Sequence, residues 1–374
     1  MFHLVEYDVV SLVTGCREVI IGNSKLKTRM ARRRLEAAIC AGREIEKSGS
    51  GSFSDLKNML EIKVNEYYMG VYSLQFSLDG GSLAVGCGNG AVGLYDSATG
   101  KMTKNLNKGT NAGLPIMSLN FHPFKHDLML SVDCDGNIKL WNIDSCRNMA
   151  VINESKNEIN ALDFSSSGEA FATGGKDLSV RIYDTETNEL SRQYDGLNSI
   201  NNIIDDQGDC GHGKRIFALK YHPDADRIFF SGGWDNCIKI WDSRTSQGVQ
   251  GTIAGPHICG SGLDVKDGKL LTASWVNKDA LQIYDWSSQR LESTIPVETE
   301  EASGEFLYAA QFCDNDVIIA GGSGTNNVQA ISRISGKVLG KIDMDGKPVQ
   351  ALDSTHGGRL IAVGGTSLKL GQLV

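Results

Sequence analysis

From residue 70 onward, apolar and polar positions fall into a unit that recurs along the chain. Each unit reads as an apolar first strand, a turn with Gly or Pro, and a second apolar strand ending in small residues. A tight turn with Asp or Asn follows, then a third strand closing on an aromatic residue and Asp. Four copies are clear: 71–96, 116–142, 159–184 and 216–242. Three weaker copies follow at 260–285, 307–332 and 349–372. The closing position falls at Tyr95, Trp141, Tyr183, Trp241, Tyr284, Ile331 and Gly371, with spacings of 46, 42, 58, 43, 47 and 40 residues. The spacing of 58 contains an insertion, Asp195–Gly211, that carries Asp205, Asp206 and Asp209.

Composition fits many short strands. The 374 residues include 43 glycines and 6 prolines, which suits tight turns and excludes a collagen-like or Pro/Gly-disordered chain. No apolar run reaches the ~18–20 residues that would span a bilayer. The opening residues carry Glu6 and Asp8 and no basic stretch, so no signal peptide is expected. Nine cysteines are scattered singly, which suits a reducing compartment. The net charge of −8 disfavours generic nucleic-acid binding by the whole surface. Charge is uneven: residues 1–55 hold nine Lys/Arg and seven Asp/Glu, the remainder 28 and 38. Within the first part, Ser24–Lys47 reads as a basic helix capped by Ser24, and SGSGS (48–52) as a linker. The chain therefore divides into an N-terminal appendage, 1–55, and a repeat domain, 56–374.

A period of ~40–45 residues with a closing Trp-Asp is the mark of four-stranded propeller blades. The repeats resemble the WD40-repeat β-propeller family over about residues 60–374. The last two copies depart from it by lacking the aromatic-Asp pair. The expected fold is all-β, a seven-bladed WD40 propeller with a short N-terminal helical appendage. The seventh copy lacks an outer strand, and LEIKVNEYY (60–68) alternates like one, so it is expected to complete that blade and latch the ring.

Other motifs yield to this reading. Gly88–Gly93 matches G-x-G-x-x-G, but a strand follows where a dinucleotide site needs a helix. Cys210-x-His212 and His257-x-Cys259 have zinc-type spacing. The resemblance instead implies a structural network of His212, Ser231, Asp235 and Trp241. No local pattern of nucleophile, base and orienting acid appears, so neither an enzyme, a cofactor nor a metal site is expected.

The resemblance implies a scaffold that binds proteins or peptides on the propeller's top face, in the cytoplasm or nucleus, without membrane contact. Its pattern places Tyr72, Met117, Asn160, Lys176, Arg215, Phe217, Trp234, Trp275, Phe306 and Tyr308 there. Phe217 and Trp234 stand out, because nothing in the repeat demands an aromatic at either. Finally, 229–244 resembles a box by which some WD40 proteins join the adaptor of cullin-RING ubiquitin ligases. The adaptor contact would then fall on Asp242 and Arg244, and the chain would be a ligase substrate receptor.

Overall fold

The computed structural model describes residues 53–197, 211–299 and 304–374. These form seven four-stranded antiparallel sheets, arranged as propeller blades, each built from four strands consecutive in the chain except the seventh. The innermost strands are Val71–Phe76, Ile116–Phe121, Ile159–Phe164, Ile216–Tyr221, Leu263–Lys266, Leu307–Phe312 and Ala351–Thr355. Among the described residues the only helical elements are two 3-10 turns, and no helix is long and apolar enough to cross a membrane. The helix expected over Ser24–Lys47 lies outside the described residues.

The seventh blade takes its outer strand from the other end of the chain. Leu56–Ile62 pairs with Leu368–Leu373, with Leu56 opposite Leu373 and Ile62 opposite Leu368. The strand thus begins four residues earlier than the expected 60–68. Beyond Ile62 the backbone leaves the sheet: Asn65 caps a 3-10 turn, Glu66–Tyr68, by accepting the Tyr67 amide at 2.9 Å. Met69 in the left-handed region then turns the chain into blade one.

Seven apolar clusters fill the spaces between neighbouring blades, because each sheet is apolar on both faces and must bury both. Between blades three and four, Trp241 stacks on Phe229 with centroids 5.7 Å apart, and Tyr194 packs on its other flank. A polar network ties blade four internally. Asp235 Oδ2, an acceptor only, accepts a hydrogen bond from His212 Nδ1–H at 2.8 Å. His212 Nε2 lies 2.6 Å from Ser231 Oγ, which also accepts Trp241 Nε1–H at 2.7 Å. Blade three solves the same problem differently. Buried Glu154 accepts from Thr173 Oγ1, Tyr183 OH, Arg181 Nη1 and Asn157 Nδ2.

Candidate functional site: the channel and its mouth

In five blades the register of the inner strand slips at its second residue. In blade four, Ile216 opposes Gly233 and Ala218 opposes Gly232, so Phe217 is bulged out. The same slip falls at Tyr72, Met117, Asn160 and Tyr308. A bulge re-aims one side chain while its neighbours keep their pairing. Ile216 and Ala218 are both buried, and Phe217 lines the central channel with the other four. These are five of the residues that the sequence pattern expected on the top face, and each lines the channel at its mouth. Asn160 is further corrected: it is buried, and its Nδ2 donates to Ile216 O at 3.0 Å, tying blade three to blade four.

Outside this ring, blade four builds an aromatic corner. Gly233 lies so close to the Arg215 carbonyl that a Cβ would sit 2.0 Å from it. That approach lets Trp234 N donate to Arg215 O at 3.0 Å, which fixes the turn. Trp234 packs on Phe217 with centroids 5.0 Å apart and donates Nε1–H to Cys259 Sγ at 3.1 Å. Burial pushes the Cys259 thiol up to about 11, so it stays protonated at neutral pH. The Arg215 guanidinium lies 5.8 Å from the Trp234 ring centroid, a cation–π arrangement. Glu158 holds Arg215 Nη1 at 2.6 Å with one oxygen and pairs with Lys176 through the other. These ties lower the Glu158 carboxyl below its ordinary value, the Lys176 hydrogen bond contributing most. Despite its contacts, Trp234 remains 39% exposed.

Blade five repeats the device with different partners. Trp275 N donates to His257 O at 2.8 Å, and its ring packs on Phe306 with centroids 4.9 Å apart. Its Nε1–H donates to Ser323 Oγ at 3.2 Å, and the ring is 40% exposed. Two tryptophans on consecutive blades are thus pinned by ring contacts and N–H bonds while each stays partly exposed. The acids Asp205, Asp206 and Asp209 of the insertion lie outside the described residues.

Deeper in the channel every inner strand carries a polar side chain, at the fifth position of five strands, at the second of Leu263–Lys266 and at the third of Ala351–Thr355. In blade order these are Gln75, Asn120, Asp163, Lys220, Asp264, Gln311 and Asp353, and all line one cavity of about 360 Å³. Asp163, Asp264 and Asp353 accept the backbone amides of Tyr221, Phe312 and Phe76 on the next blade at 2.7, 2.8 and 2.6 Å. Burial raises all three carboxyls despite these bonds and Lys220, and brings Asp353 to about 6. The three carboxylates, Asp163 foremost, push Lys220 up to about 12 against the effect of burial. The motif search missed this ring. Its signal was present: aligned by repeat, every first strand has a charged or amide side chain at the same step.

A family model described as "WD domain, G-beta repeat" matches residues 207–242, and one described as "Nucleolar protein 10-like, N-terminal domain" matches 49–183. With seven four-stranded blades in the structure, these matches decide the family. The chain is a WD40-repeat β-propeller. Among its curated relatives is "Cell division cycle 20.1, cofactor of APC complex" of Arabidopsis thaliana, 24% identical over 71% of this chain and 54% of the relative. "WD repeat-containing protein 25" of Mus musculus is 28% identical over 37% of this chain and 23% of the relative. "U3 small nucleolar RNA-associated protein 21 homolog" of Schizosaccharomyces pombe is 20% identical over 59% and 23%. The chain spans about half the length of the first of these relatives and less of the others.

In this WD40 propeller the remaining motif residues have defined neighbours. His257 Nδ1 lies 2.6 Å from Asn236 Oδ1, Cys259 takes the Trp234 N–H, and Cys210 lies outside the described residues. His212, Asp235 and Cys237 lie near enough to share an ion, but both His212 nitrogens are engaged by Asp235 and Ser231. Gly88-Asn89-Gly90 forms the turn before the strand Val92–Asp96, with no helix after it. Arg244 closes on Asp242, with Nε 2.9 Å from Oδ1 and Nη2 2.5 Å from Oδ2, and its side chain is 70% exposed.

Proposed function

We propose that this propeller is a non-catalytic scaffold that holds a segment of a partner protein across the mouth of its channel. The observation that carries the reading is the pair of half-exposed tryptophans, Trp234 and Trp275, each locked by a second aromatic and an N–H bond. Rings held in this way lose little freedom on binding, and interface energy concentrates in such anchors. Phe217, Tyr72 and Tyr308 at the mouth extend the apolar surface inward from them. A matched family described as nucleolar and a relative named for association with small nucleolar RNA support a nuclear setting, with the partner a protein of a ribonucleoprotein assembly. The ligase-receptor reading rests on Asp242 and Arg244, which sit on another part of blade four and can be tested apart. The experiment is a quantitative partner purification with wild type, Trp234→Ala, Trp275→Ala and Met149→Ala, the last altering an exposed residue of an outermost strand. The reading requires a shared set of partners to be lost with either tryptophan and kept with Met149→Ala.

A further inference from the structure

The floor of the channel is electrically unbalanced. Three carboxylates, Asp163, Asp264 and Asp353, share it with one ammonium, Lys220, which leaves two negative charges in excess when all are ionised. Lys220 stands on blade four between Asp163 on blade three and Asp264 on blade five. Asp353 stands on blade seven, across the ring. Its two oxygens accept from Gln311 Nε2 at 3.0 Å and from Phe76 N at 2.6 Å, which are dipoles and not charges. Burial raises its carboxyl to about 6, and the hydrogen bonds from Phe76 and Gln311 and the charge of Lys220 offset that only in part.

A second feature marks the same sector. Gln311 lines the cavity beside Asp353, and its Oε1 is enclosed and accepts no hydrogen bond from the described residues. Neighbouring Gln75 Oε1 is already committed to Phe121 N. The Gln311 oxygen is therefore an acceptor with no donor beside a carboxylate held by dipoles alone, a costly arrangement for buried polar atoms. Above this sector the mouth carries Tyr308 on blade six and Tyr72 on blade one. Tyr308 and Gln311, like Tyr72 and Gln75, are three residues apart on their inner strands, roughly 10 Å at strand rise. A cation seated on the floor would thus trail an aliphatic stem past two tyrosine rings, which suit both methylenes and positive charge.

We propose that the channel binds an organic cation, an alkylammonium or guanidinium group, against Asp353 and Gln311 in the sector of blades six, seven and one. The cation neutralises Asp353 and donates to the unmet oxygen of Gln311, while the tyrosines hold its stem. The same chemistry is offered by the side chain of Arg or Lys on a docked segment and by a free polyamine. The first source rests on the docking reading above; the second does not.

Calorimetric titration tests this without a known partner. The probes are n-butylguanidinium, its neutral isostere n-butylurea, spermidine, and a capped tetrapeptide with a central Arg or citrulline. The cationic probe should bind, and n-butylurea should not. Asp353→Asn should weaken n-butylguanidinium about tenfold or more, and Gln311→Leu should weaken it as well, so the result does not hang on one variant. Met149→Ala should leave it unchanged. An Arg peptide tighter than both spermidine and its citrulline analogue assigns the site to a partner side chain; tighter spermidine assigns it to a free polyamine. Equal behaviour of n-butylguanidinium and n-butylurea, or full affinity in both channel variants, overturns the proposal. Either outcome leaves the Trp234 purification to stand or fall separately.

Discussion

The carboxylate of Asp353, on the inner strand of blade seven, accepts the backbone amide of Phe76, on the inner strand of blade one, at 2.6 Å. This bond crosses the seam where the two ends of the described propeller meet. It belongs to a belt in which alternate blades reach forward: Gln75 to Phe121 N, Asp163 to Tyr221 N, and Asp264 to Phe312 N. Seven is odd, so two accepting blades, seven and one, fall side by side at the seam. Asp353 therefore closes the ring by a buried carboxyl whose direct partners, Phe76 N and Gln311 Nε2, carry no charge.

That placement sets a pH dependence. Asp353 rises from 3.8 to about 6 on folding, so the folded state holds its proton more tightly than the unfolded chain. Its contribution is greatest below pH ~4 and is lost as pH rises to about 6, a cost of roughly 3 kcal/mol at pH 7. Asn at 353 keeps an acceptor for Phe76 N and cannot ionise. Asp353→Asn should gain on wild type between pH 4.5 and 7 in denaturant melts, and then run parallel. A constant difference across that range would contradict the assignment.

The outer strand of blade seven supplies a second expectation. Leu56 is buried against Leu373 and Ile342, whereas Met59 of the same strand is exposed. Leu56→Ala should cost about 2–4 kcal/mol and lower the melting temperature by several degrees, while Met59→Ala changes it little. Equal melts would mean that this strand does not hold the ring.

Blade three depends on one carboxylate. Removing Glu154 leaves Arg181, Thr173 and Tyr183 without the acceptor they share. Arg181 keeps Asp177, so part of its charge stays compensated. Glu154→Ala should destabilise by about 2–4 kcal/mol and Glu154→Gln by less, read from urea melts at pH 7.

Arg244 bears on the ligase reading. Its guanidinium is exposed and, among the described residues, bonds only Asp242 within a turn. Arg244→Ala should leave the melting temperature unchanged. It should also abolish any recovery of a cullin-RING adaptor; recovery of equal adaptor by the variant would remove Arg244 from that interface.

Much of the fold was legible because each blade repeats one hydrophobic grammar, and a seven-fold repeat averages out local noise. The closing aromatics Trp141, Tyr183 and Trp241 are buried where the period puts them. Local detail was less legible. Strict alternation cannot show a bulge, so the pattern that put Tyr72, Met117 and Phe217 on the top face did not show that they line the channel. The strand at 56–62 was placed late because apolar alternation continues into Tyr67 and Tyr68, whereas the cap at Asn65 ends the strand's path. Asn160 looked free because its acceptor, Ile216 O, lies on the next blade, 56 residues away. The polar ring was visible only by aligning repeats, since no single strand announces it.

The central claim is that Trp234 and Trp275 anchor a partner at the channel mouth. Its most direct test is a paired measurement on Trp234→Ala: partner recovery by quantitative affinity purification, and thermal stability of the same preparation. Trp234 is 39% exposed, so its loss should shift the melt by little. Loss of a central aromatic anchor should weaken binding by ~2–4 kcal/mol, about 30- to 1,000-fold. The account predicts partners lost with a near-wild-type melt, matched by Trp275→Ala and not by Met149→Ala. Partners retained by both tryptophan variants, with folding intact, would contradict it.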